Sequence, residues 1–122
     1  MSEEISVNEM AIKRIQYCSD LHLEFPDNRK FIESNPLIPA GDILILAGDI
    51  IPFSHLHLAD TFFDRIAAQF QVVYWLPGNH EFYNSDIADK GYSYCEQIRD
   101  NIFLVNNYTA NFNDVNIIFS IL

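Results

Sequence analysis

Ile43-Leu44-Ile45-Leu46-Ala47-Gly48-Asp49 is the stretch on which the reading of this chain turns. An unbroken run of branched apolar residues that stops on a glycine reads as a strand buried on both faces. The carboxylate that follows, Asp49, then stands beyond the carboxyl end of its strand, where open α/β sheets carry their ligand crevices. The same order of events recurs on either side. Ile15-Gln16-Tyr17-Cys18-Ser19 leads into Asp20-Leu21-His22, and Val72-Val73-Tyr74-Trp75-Leu76 leads into Pro77-Gly78-Asn79-His80-Glu81. Three apolar strands at roughly equal intervals therefore each end in a cluster of metal-ligand type, with Asp49 at the centre.

Working outward, residues 1–10 are acidic and aperiodic and are expected to form a ragged end, leaving 11–122 as one domain. Residues 11–18 read as the first strand and 42–48 as the second. Between them, Pro26, Pro36 and Pro39 mark a connection with one helical turn near Arg29–Glu33. From Leu56 to Phe70, the residues Ala59, Phe62, Phe63, Ile66, Ala67 and Phe70 fall on one face at helical spacing. Gln71 to Leu76 is the third strand. Ser85 is placed to cap a helix running through Ile87, Tyr94, Cys95 and Ile98 to about Arg99, with Asp86 near its positive end. Ile102 to Val105 is a short fourth strand, and Asn113-Asp114 is a turn before a fifth, Val115 to Leu122. Alternation of strand and helix predicts an α/β fold of mainly parallel strands joined by crossover helices.

Composition narrows the function classes. The 122 residues carry a formal net charge of −10, from 17 acidic against 7 basic side chains, which disfavours binding to nucleic acid through its phosphates. It suits a cation. No stretch of eighteen apolar residues is present to cross a membrane, and the N-terminus lacks the basic and apolar regions of a secretory signal. Two distant cysteines, Cys18 and Cys95, read as reduced thiols of a cytoplasmic protein, Cys18 as a small buried filler.

Asp20-x-His22 sets two ligand-type side chains on the same side of an extended segment, because side chains alternate with period two. Gly78-Asn79-His80 adds an amide oxygen and an imidazole after a glycine turn. Together, Ser19-Asp20-Leu21-His22, Gly48-Asp49-Ile50 and Gly78-Asn79-His80-Glu81 resemble the first three motifs of calcineurin-like metallophosphoesterases, from about residue 12 to about residue 120. The resemblance implies the N-terminal half of a layered α/β sandwich. It implies that Asp20 and His22 bind one metal, that Asp49 bridges two, and that Asn79 binds the second. His80 would contact the phosphate and protonate the leaving alkoxide. One or two divalent ions per chain, Mn, Fe or Zn, and a phosphate-ester substrate follow, with hydrolysis of a phosphomonoester or phosphodiester by metal-activated hydroxide.

The chain departs from that pattern in three places. The family often carries a further Asp where this chain has Pro52. No histidine follows His80, so the family's later single His and Gly-His-x-His have no counterpart. Those two departures make a truncated member the expectation, active or else catalytically deficient and serving as an interaction protein. An uncovered sheet face or edge would then favour a homodimer. His55-Leu56-His57 resembles the missing pair only superficially, lacking the preceding strand and glycine, and reads as a surface loop.

Overall fold

β1 (Ile15–Cys18), β2 (Ile43–Ala47) and β3 (Val72–Leu76) lie side by side as parallel strands in the computed structural model, which describes residues 14–78, 81, 93–112 and 115–121. Their apolar runs are met on both faces, as such runs require. β5 (Ile102–Asn106) adds to β3 in parallel, and β4 (Tyr94–Arg99) closes that side antiparallel to β5, giving the order β1-β2-β3-β5-β4. β6 (Tyr108–Phe112) and β7 (Val115–Phe119) form a separate antiparallel pair. The protein is an α/β structure built on a mixed, mostly parallel sheet.

Two apolar layers sandwich that sheet. On one face Leu44, Leu46, Val73, Trp75, Ile102 and Leu104 pack against Phe62, Phe63 and Ile66 of α2 (Asp60–Gln69). Phe63 and Phe53 close on the Trp75 ring, with centroids 5.2 and 5.7 Å away. On the other face Ile43, Val72, Tyr74 and Val105 pack against Ala110, Phe112 and Phe119 of the β6–β7 pair. The alternation of strand side chains divides the residues of β2, β3 and β5 between these two cores.

The α2 stripe matches its helical spacing, with Phe62, Phe63 and Ile66 buried, but the helix begins at Asp60, after a 3-10 segment, Phe53–Ala59. The single turn expected near Arg29–Glu33 is a nine-residue helix, α1 (Pro26–Ser34), with proline in its first turn where no amide partner is needed. The helix expected to run from Ser85 to Arg99 is corrected. Residues 85–92 lie outside the described residues, and Tyr94–Arg99 is strand β4. The free edge of β5 supplies five register pairs to this segment, and that pairing outweighs a helical spacing of Tyr94 and Ile98. β6 was not anticipated, because Tyr-Thr-Ala-Asn-Phe shows no apolar run; its Ala110 and Phe112 alternate inward. The ragged end at 1–10 and the turn at Asn113-Asp114 lie outside the described residues.

Candidate metal centre

Beyond the ends of β1 and β2 the backbone pairing continues into the loops. The amide of Asp20 donates to the Gly48 carbonyl at 3.0 Å, His22 to Asp49 at 3.1 Å, and Leu23 to Ile50 at 2.7 Å. This zipper brings the side chains that follow the two strands to one place. The first turn of α1 secures it from outside. Asn28 Nδ2 donates to the carbonyls of Leu21 and His22, and Arg29 Nη1 to those of Leu23 and Glu24, at 2.9–3.2 Å.

Asp20, His22 and Asp49 all hold left-handed backbone, with φ of 60°, 48° and 57°. Gly48, at φ 90°, makes the turn before Asp49. Asp and His tolerate this region better than branched residues do, but it costs energy and persists where the surroundings over-determine it, commonly at functional sites. Each of the three side chains offers one ligand atom, and these atoms lie within 4.8 Å of one another. Two carboxylates and an imidazole so converged form a donor set that fits a divalent cation, of the kind shared by Mn, Fe and Zn sites.

The imidazole of His22 is held from behind. Its Nδ1 lies 3.6 Å from Glu24 Oε2, while Nε2 faces Asp20 Oδ1 at 3.9 Å. A carboxylate on the far nitrogen orients a ligating histidine and raises its basicity. Glu24 has only 11% of its side chain exposed, against 62% for Asp20.

Glu81 is fully buried between the ends of β2 and β3. It accepts hydrogen bonds from the amides of Asp49, Ile50 and Gly78 and from the Trp75 indole. Burial holds its carboxyl above the ordinary glutamate range, against those four bonds, which favour the charged form. Gly78 sits directly on Asp49: a Cβ there would come within 2.8 Å of Asp49 Oδ1.

Of the site residues expected from sequence, Asp20, His22 and Asp49 are brought together, and Asn79 and His80 lie outside the described residues. Their neighbours Gly78 and Glu81 both contact Asp49. Pro52 is buried and leads into the 3-10 segment, its carbonyl accepting the His55 amide. His55 pairs with Ser54 Oγ at 3.0 Å, and His57 is exposed. Neither joins a metal-capable group among the described residues. Cys18 packs against the α2-side core, and burial pushes its thiol up to about 11. Sequence reading passed over Glu24 and gave Glu81 no role. Glu24 had a faint signal, its even spacing from Asp20 and His22.

No helix among the described residues is long and apolar enough to cross a membrane. An uncharacterised protein of Acanthamoeba polyphaga mimivirus is 31% identical over 127 residues, an alignment covering 88% of this chain and 43% of that protein. The chain thus spans less than half the length of the curated relative it matches. No solved structure matches it. A family model described as calcineurin-like phosphoesterase matches residues 13–120, almost the whole chain. With three strand-end clusters in the order of that family's motifs, the chain belongs to the calcineurin-like phosphoesterases.

Proposed function

We propose that this chain carries the metal-binding part of a phosphoesterase that hydrolyses a phosphomonoester or phosphodiester. The observation that supports it is the convergence of Asp20, His22 and Asp49 at the carboxyl ends of adjacent parallel strands. Asp20 and His22 hold one divalent cation, and Asp49, with two carboxylate oxygens, shares it with a second held by Asn79. When bound, such cations supply Lewis-acid polarisation of the phosphoryl oxygen and acidify water. Glu24 keeps His22 turned with Nε2 toward the site. His80 donates a proton to the departing oxygen. Mn²⁺ titration of the purified chain, followed by assay on an aryl phosphate and an aryl phosphodiester, tests this. Turnover that requires Mn²⁺ and is lost in His80→Ala supports it, and a folded chain that binds no divalent metal overturns it.

A second reading, an oligomerising chain without turnover, is favoured by one observation. Ile15 and Tyr17 of edge strand β1 are 43% and 77% exposed, beside the apolar face that β6 and β7 cover elsewhere. A homodimer through that edge would bury them. Sedimentation of wild type and Tyr17→Ser decides it: a dimer that the substitution dissociates supports this reading, and a monomeric wild type at high concentration overturns it.

A further inference from the structure

The hydrogen-bond ladder between β2 and β3 ends at the Ala47–Leu76 pair. Past that point the amides of Asp49, Ile50 and Gly78 have no strand partner, and each donates instead to the same carboxylate. Glu81 Oε1 accepts from Asp49 at 2.8 Å and from Gly78 at 2.7 Å. Oε2 accepts from Ile50 at 2.6 Å and from the Trp75 indole at 3.0 Å. With two donors on each oxygen, Glu81 is engaged as an acceptor on both sides and is not itself disposed to ligate a cation.

The consequence falls on Asp49. Its amide is held by Glu81, and its carbonyl by the amide of His22 at 3.1 Å. A residue at φ 57° is thereby pinned on both sides of its α-carbon, the over-determination that a left-handed non-glycine residue needs. Because the Gly78 amide shares Oε1 with that of Asp49, the same carboxylate sets how closely the turn beginning at Gly78 approaches Asp49. Trp75 anchors the arrangement to the core through its indole N–H.

We propose that Glu81 is a positioning residue of the metal centre: it clamps the ends of β2 and β3 together and fixes Asp49 in its left-handed conformation, facing Asp20 and His22. The role at the metal rests on the function proposed above; the clamp does not.

The test uses the intact chain as wild type, Glu81→Gln and Phe119→Ala, the last destabilising the opposite face of the sheet. Amide exchange is measured without metal, comparing Asp49, Ile50 and Gly78 with Leu44 and Leu46 of β2 in the same sample. Mn²⁺ affinity is measured by electron paramagnetic resonance of the free ion. A glutamine places an NH₂ group where two donors must be accepted, so exchange at the three amides should rise about tenfold beyond that of the β2 amides. The Mn²⁺ dissociation constant should rise about 10–100-fold, the range for groups that orient metal ligands. Phe119→Ala should do neither. Exchange at the three amides in step with β2 in Glu81→Gln overturns the clamp, and an Mn²⁺ affinity within about twofold of wild type overturns the positioning role. If Glu81→Gln does not fold, Glu81→Asp, one methylene shorter, is held to the same criteria. A wild type that binds no Mn²⁺ overturns the metal reading and the role of Glu81 in it, while amide exchange still decides the clamp.

Discussion

The two ends of the functional argument sit in two regions that bury similar side chains under different rules. Where β1, β2 and β3 end, the chain turns through left-handed residues, places carboxylates and an imidazole together, and holds them with backbone amides and Glu81. On the far face, where β6 and β7 cover the sheet, Tyr74 meets Phe119 at 5.0 Å and Phe112 at 6.2 Å, and contacts there are aromatic. The first region stores strain and positions polar atoms. The second region supplies apolar burial that keeps the sheet formed. Changes in the first should move metal binding, and changes in the second should move stability alone.

The sharpest separation is expected from Asp49→Asn. Asparagine accepts the left-handed backbone, so the fold should persist, while one lost charge contact of about 4 kcal/mol should weaken Mn²⁺ binding about a thousandfold. Titration of the free ion, alongside circular dichroism, reads both quantities. Phe119→Ala should invert the pattern, costing about 3–5 kcal/mol in urea unfolding with an unchanged Mn²⁺ dissociation constant. A rise in that constant would break the comparison by showing that the hairpin face reaches the site. Glu24→Ala tests whether the carboxylate behind His22 belongs to the polar region, and about a tenfold loss of Mn²⁺ affinity is expected. His57→Ala should leave stability within about 0.5 kcal/mol and metal affinity unchanged, as for an exposed residue outside the site. A measurable metal effect there would return His55 and His57 to consideration.

The β4 segment shows where sequence pattern stops deciding. Tyr94 and Ile98 stand four apart and suit a helix, yet Tyr94–Arg99 pairs with β5, with a register irregularity between Gln97 and Arg99. The partner lies only a short turn away, at Ile102, and its edge offers hydrogen bonds that an isolated helix cannot match.

The sequence by itself determined β1 to β3, the buried face of α2, and the order in which Asp20, His22 and Asp49 follow their strands. Continuous apolar runs closed by glycine have one efficient burial, between two layers, and that burial delivers whatever follows each run to a common edge. Tertiary structure alone decided that β4 is a strand, that β6 exists, and that α1 braces the loop after β1. It alone gave Glu24 and Glu81 their places, behind His22 and beneath Asp49. Each of these depends on hydrogen bonds between residues distant in the chain or on a carboxylate whose meaning lies in what surrounds it. Local pattern records what a residue prefers, and only the folded chain records which donors reach it.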